Sequence, residues 1–176
     1  FDYLSNEVEQ TYVVEYSDPN PFKTLHAGHL YTTLVGDSIA SIIEKSGAKV
    51  VRVNYGGDVG MHVAKSMYAI INELGGENTE KLSDIPNDKK LSWLSERYIS
   101  GSEAYDENED AKEEITKLNK RIYGIYADDD HESDFAKIYW TCREWSYDGF
   151  ADFYNRLQVK SFDKFYPESS VAELGK

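Results

Sequence analysis

Along the first 75 residues the hydrophobic and polar positions switch between a strand period and a helix period. "TYVVEYS" (Thr11–Ser17) is short, β-branched and aromatic, which predicts a buried strand. Pro19 and Pro21 end it, since neither can donate to a ladder. From about Gly28 to Lys45 the period changes. Leu30, Leu34, Val35, Ile39, Ile42 and Ile43 recur at helical spacing, and "SGAK" stops the helix. "KVVRVNY" (Lys49–Tyr55) predicts a second strand, "GGDVG" (Gly56–Gly60) a turn, and "MHVAKSMYAIINEL" a further helix. Strand, helix and strand in succession form a βαβ unit, so the two strands are expected to be parallel with a right-handed crossover.

The pattern then becomes helical and charged. Gly75 to Asn87 is polar and turn-rich, and "EAYDENEDAKEEITKLNKRIYGIY" reads as charged and helical with Ile115, Leu118, Ile122 and Ile125 as its buried stripe. "ADDDHE" reads as an acidic helix start favoured by the helix dipole; a metal site is the alternative. A long helix follows from about Ser133 to Leu157, with Phe135, Ile138, Tyr139, Cys142, Trp145, Phe150 and Tyr154 at apolar positions, and "SFDKFYPES" returns as a strand. The pattern predicts an α/β fold: half of a parallel-sheet domain with a helical insertion.

Composition narrows the function classes. Hydrophobic residues make up 40% and aromatics 14% of the 176 residues, which excludes disorder of the whole. The net charge of −13 argues against gripping a phosphate backbone over a broad face, though a few residues suffice for a local anion pocket. The single cysteine, Cys142, excludes an internal disulfide and suits a reducing compartment. No apolar run reaches the ~18–20 residues of a membrane span. No signal peptide is visible, and a chain beginning at Phe1 leaves room for an upstream region.

The candidate chemistry lies in "DPNPFKTLHAGHLYTTLVGDS" (Asp18–Ser38). His26 and His29 flank Gly28 at a strand-to-helix junction, where the first turn offers unpaired N–H groups and the positive dipole end. Gly28 removes a side chain where a nucleotide approaches, and Lys23 adds a charge on the preceding loop. Together they suit a triphosphate attacked at its α-phosphorus, with no covalent nucleophile required. Capping the helix is the alternative use of the same histidines, and zinc binding lacks a further ligand pair unless His62 and Asp58 are recruited. "NYGGDVG" follows the second strand, where open α/β sheets place ligands; an ordinary tight turn is the alternative. Glu15, at a strand end expected to be partly buried, with Asp18 and Asn20 just beyond it, calls for a cationic partner, and a guanidinium matches a carboxylate with a planar fork. A local Asx turn is the alternative for Asp18.

These residues carry a resemblance. "VVEYSDPNPFKTLHAGHLYTTLVGDSIASIIEKSGAKVVRVNYGGDVGMHVAK" resembles the first half of the catalytic domain of arginyl-tRNA synthetases, and "HAGH" resembles the HIGH signature of class I aminoacyl-tRNA synthetases. The likeness extends through "REWSYDGFADFYNRLQVKSFDKFYPESSVAELGK". It implies the first half of a Rossmann-like nucleotide-binding domain at residues 1–76, a mainly helical connective insertion at 77–158, and a return toward the catalytic sheet at 159–176. It implies an arginine–tRNA ligase joining arginine to ATP, releasing pyrophosphate, and passing the arginyl group to tRNA. Lys23, His26 and His29 would be catalytic; Gly28, His26, His29, Asn54, Gly57 and Asp58 would contact ATP; Glu15, Asp18, Asn20 and His29 would contact arginine. Mg2+ would arrive on ATP, with no metal held by the protein. Arginine tRNA would bind mainly through parts outside this chain, in a cytoplasmic protein with no membrane contact. Asp18 departs from the serine of many members, and "GDVG" from the commoner Gly-Asp-Trp-Gly. A KMSKS-type loop and an anticodon-binding domain are expected downstream, and an add-on domain upstream, so the fragment alone is expected to be inactive. Two rivals share the pattern: another nucleotidyltransferase of the His-x-Gly-His superfamily, and a non-catalytic synthetase-like binding module.

Overall fold

The computed structural model describes residues 10–171. Two compact units divide the described residues: residues 10–19, 25–56 and 150–171 form the first, and residues 20–24 and 57–149 the second.

The first unit is built on a three-stranded parallel sheet ordered β1 (Thr11–Glu15), β2 (Lys49–Gly56), β3 (Lys164–Pro167). β1 pairs with β2 from Thr11↔Lys49 to Glu15↔Val53, and β2 with β3 from Val53↔Lys164 to Gly56↔Pro167. Helix α1 (Ala27–Lys45) connects β1 to β2. This is the Rossmann-like α/β topology expected from the pattern, interrupted by helices before β3 returns.

The periodicity located α1 but not its packing face. Its buried positions are Thr33, Gly36 and Ala40. The apolar stripe of Leu34, Ile39 and Ile42 stays exposed, Ile42 at 69%. The reason is close approach: a Cβ on Gly36 would overlap the Tyr16 side chain, so only small residues fit on that face. We expect Gly36→Ala to destabilise the fold by about 1–3 kcal/mol through overpacking, read as a lower midpoint in urea denaturation. β1 also departs from the buried strand expected. It is an edge strand, with Thr11, Val13 and Glu15 exposed and Val13 at 66%.

The second unit holds the larger apolar core. Helices α2 (Met61–Leu74), α3 (Lys90–Glu107), α4 (Glu109–Ala127) and the first part of α5 (Asp134–Leu157) bury Val63, Met67, Ile70, Leu94, Ile115, Ile122, Phe135, Ile138 and Tyr139. Short 3-10 turns at Thr79–Asp84 and Asn87–Lys89 occupy the turn-rich stretch. The expected stripe of Ile115, Leu118, Ile122 and Ile125 is buried as a set. The charged stretch is helical as expected and is divided at Asn108, whose side chain accepts from Asp110 N–H (2.9 Å) and Ala111 N–H (3.1 Å) and so begins α4. A good N-cap residue in mid-pattern outweighs continuous periodicity. At "ADDDHE" Asp130 accepts from the Glu132 and Ser133 N–H groups at 2.9 Å each, and these bonds with the Ser133 hydroxyl hold its carboxyl below the usual range.

Candidate functional site

In the first unit both histidines are helix caps. His26 is the N-cap of α1, with extended backbone (φ −134°), and its Nδ1 accepts from Gly28 N–H at 3.1 Å. His29 Nδ1 reaches back to accept from His26 N–H at 3.2 Å. The two rings lie 4.0 Å apart, centroid to centroid, at 32°. This is a reciprocal capping box made of imidazoles. An accepting Nδ1 carries no proton, so each neutral ring holds its proton on Nε2. Capping and phosphate recognition are therefore compatible, because they use opposite edges of the ring. His26 is exposed and His29 half-buried, so neither lies in a packed interior. Gly28 is required by this arrangement: a Cβ there would sit 2.8 Å from His26 Cε1 and push the ring off the cap.

The end of β1 is strained. Ser17 (φ 77°) and Asp18 (φ 48°) both occupy the left-handed region, at a cost of about 1–3 kcal/mol each for such residues. Side chains hold the turn. Asp18 Oδ1 accepts from Tyr55 N–H at 2.8 Å, and the buried Ser17 Oγ lies 2.9 Å from Tyr154 Oη and 2.8 Å from Thr33 Oγ1. Asn54, buried on β2, donates from Nδ2 to Tyr16 O (3.1 Å) and Tyr154 Oη (3.4 Å). Burial pushes the Asp18 carboxyl above its ordinary value; Glu15's charge adds to the rise and the Tyr55 N–H opposes it. Glu15 itself is exposed, contrary to the partly buried strand end expected, because it shares the exposed face of β1 with Thr11 and Val13. The argument for a cationic partner therefore falls on Asp18, with Glu15 as the neighbouring charge.

In the second unit the glycine turn is fixed from several sides. Gly57 N–H donates to Asn20 Oδ1 at 2.9 Å, and His62 Nε2 lies 2.8 Å from Gly57 O. Burial, reinforced by the Lys23 charge, pulls His62 down to about 4 against the opposing bond to Gly57, so its neutral ring donates to that carbonyl. Asp58 is fully buried. Its Oδ2 accepts from Tyr126 Oη (2.7 Å) and Arg143 Nε (3.1 Å), and its carbonyl accepts from Tyr139 Oη (2.7 Å). The preceding loop is tied down too: Phe22 (φ 65°) is fully buried and donates its N–H to Ser146 Oγ at 3.0 Å. Lys23 Nζ sits 5.0 Å from the Tyr98 ring centroid.

Within the first unit the fold thus gathers Glu15 with Asp18 and His26 with Gly28 and His29, with Asn54 joined to the Ser17 turn. Within the second it gathers Asn20 with Gly57, and His62 beside Lys23. Ser17, Thr33 and Tyr154 in the first unit, and Tyr126, Tyr139 and Arg143 in the second, were missed by sequence reasoning. They are ordinary helix and loop residues in sequence, and several act on partners more than 80 positions away. Among the described residues no group of three or more His, Cys, Asp or Glu could hold a metal ion. No helix among them is long and apolar enough to cross a membrane.

The comparisons with known proteins point one way. The arginine–tRNA ligase of Flavobacterium psychrophilum is 32% identical over all of this chain, which covers 30% of that protein. That of Borreliella afzelii is 30% identical over 99% of the chain, covering 27% of its own length. The chain therefore spans about three-tenths of the curated relatives it matches. The arginyl-tRNA synthetase structure from Plasmodium falciparum superimposes with a TM-score of 0.65 at 25% identity, over 97% of this chain and 26% of that one. The Thermus thermophilus structure shares the fold, with a TM-score of 0.62 at 20% identity over 94% of this chain and 24% of its own. The family profile described as tRNA synthetases class I (R), catalytic domain, matches residues 3–173. With nearly every residue inside that match, the chain belongs to the class I arginyl-tRNA synthetase catalytic-domain family.

Proposed function

We propose that this chain is the HAGH-bearing part of an arginine–tRNA ligase, which joins arginine to ATP and transfers the arginyl group to its tRNA. The observation that carries the reading is the imidazole capping box, which leaves both ring protons on Nε2 at the start of a 19-residue helix. Neutral donors beside a helix N-terminus suit phosphoryl oxygens that gain charge during attack on the α-phosphorus. In this reading the arginine carboxylate is the nucleophile. His26, His29 and Lys23 stabilise the developing charge, Gly28 lets the nucleotide approach the backbone, and Asn54, Gly57 and Asp58 border it. Asp18, Glu15, Asn20 and His29 hold arginine; the half-buried Asp18 carboxylate supports this, since a guanidinium or ammonium offsets its desolvation. Mg2+ enters on ATP.

Residues 1–76 with 159–176 form the catalytic-domain part and 77–158 the connective insertion, in a cytoplasmic protein. The relatives' greater length supports placing the main tRNA contacts, and parts needed for turnover, outside these residues. The test is pyrophosphate–ATP exchange by the full-length protein with tRNA present. Exchange is expected with arginine and not with a phosphorylated alcohol, whereas the 176-residue chain alone gives no aminoacylation. Exchange that ignores arginine would overturn the reading in favour of another nucleotidyltransferase.

A further inference from the structure

Four polar side chains of the first unit lie in one line of hydrogen bonds. Asn54 Nδ2 is 3.4 Å from Tyr154 Oη, Tyr154 Oη is 2.9 Å from Ser17 Oγ, Ser17 Oγ is 2.8 Å from Thr33 Oγ1, and Thr33 Oγ1 is 2.6 Å from His29 O. Thr33 Oγ1 is the donor in both of its bonds, to Ser17 Oγ and to His29 O, and shares its one proton between them. Asn54 Nδ2 donates to Tyr154 Oη, and between Tyr154 and Ser17 either hydroxyl can donate.

The line joins two places of unequal rigidity. The His29 carbonyl belongs to α1, which is held by its own backbone ladder and its capping box. The Ser17–Asp18 turn has left-handed backbone at both residues and no ladder of its own. Ser17 Oγ, bonded to Tyr154 Oη on one side and accepting from Thr33 Oγ1 on the other, is the link between them.

We propose that Tyr154, acting through Ser17, is a positioning residue for amino-acid binding. The line of hydrogen bonds ties the strained Ser17–Asp18 turn to the first turns of α1. It touches neither substrate. The inference rests on the arginine–tRNA ligase reading. Without the Tyr154 hydroxyl, Ser17 loses that hydrogen-bond partner and the turn relaxes toward ordinary backbone, carrying Asp18 with it. Helix α1, held independently, keeps its place. The effect therefore falls on arginine and not on ATP.

The experiment is arginine-dependent pyrophosphate–ATP exchange by the full-length protein with tRNA, comparing unaltered protein, Tyr154→Phe, Ser17→Ala and the double variant. Tyr154→Phe should raise KM for arginine about tenfold, the effect of losing about one hydrogen bond's worth of preorganisation, with KM for ATP within about twofold. Ser17→Ala should give the same split, and the double variant no more than the larger single effect, since both remove one link. Equal rises in both KM values, an unchanged KM for arginine in Tyr154→Phe, or additive effects would overturn the positioning role. Absence of arginine-dependent exchange by the unaltered protein would instead overturn the ligase reading, and the role with it.

Discussion

Replacing His26 by alanine in the full-length protein is expected to cut arginine-dependent pyrophosphate–ATP exchange by about 10²–10³-fold, the loss seen when one preorganised donor to a developing oxyanion is removed. The same change removes an N-cap, worth about 1 kcal/mol of stability, because Nδ1 accepts the Gly28 N–H. The two effects separate with His26→Asn. Asparagine is among the best N-caps and should restore the melting temperature, but its short side chain has no donor where imidazole Nε2–H lies. Exchange is therefore expected to stay low while stability recovers. If His26→Asn restored exchange together with stability, His26 would be a cap and nothing more, and phosphate recognition would have to come from other residues.

Asp58→Ala is expected to destabilise the protein by about 3 kcal/mol, the lower end of the cost of breaking a buried ion pair, because Glu144 Oε1 still lies 3.3 Å from Arg143 Nη1. Asp58 is fully buried and its Oδ2 is the shared acceptor for Tyr126 Oη and Arg143 Nε. Removing the carboxylate leaves the Arg143 guanidinium, 13% exposed, without that acceptor. Asp58→Asn keeps an oxygen in the same place and loses the charge, so it should cost less, about 1–2 kcal/mol. Chemical denaturation with fluorescence reads both. The pair also separates two roles. If Asp58 shapes the Gly57–Gly60 turn through this network, exchange in Asp58→Asn should track its stability. If its carboxylate met the nucleotide directly, Asp58→Asn would lower exchange at full stability.

The sequence carried local information well. α2 was legible to its boundaries because apolar spacing, the preceding glycine and the following Gly75 agree. The parallel pairing of β1 with β2 followed from the length of the crossover. The histidines could be placed at a helix start, but whether they cap or bind a phosphate was open. The fold resolves the capping half of that question through Nδ1 of each ring. Asn108 shows the limit of periodicity: five buried apolar residues continue the pattern on α4, yet a capping side chain divides the helix.

The larger misses concern faces and distant partners. The apolar stripe on α1 looked like its core side, but Gly36 and the small residues beside it set the contact with Tyr16. Hydrophobicity predicts which residues gain from burial; it does not say which neighbour comes close enough to bury them. Glu15 looked partly buried because strands usually are, and its place on the exposed face of β1 leaves it in solvent. Tyr139 and Tyr154 read only as apolar positions of a long helix, and Arg143 carried no signal of its own.

By itself the sequence determined the order of elements, the parallel α/β class, the histidine pair at the head of α1, and the family, since these depend on short-range periodicity, caps and contiguous motifs. Only the tertiary structure decided which edge of each imidazole is spent on the helix, that Asp58 is sealed against Arg143, and that Tyr154 reaches the Ser17 turn. Those outcomes depend on hydrogen bonds closed between residues far apart in the chain, and a linear pattern of residue types does not encode the distances at which they close.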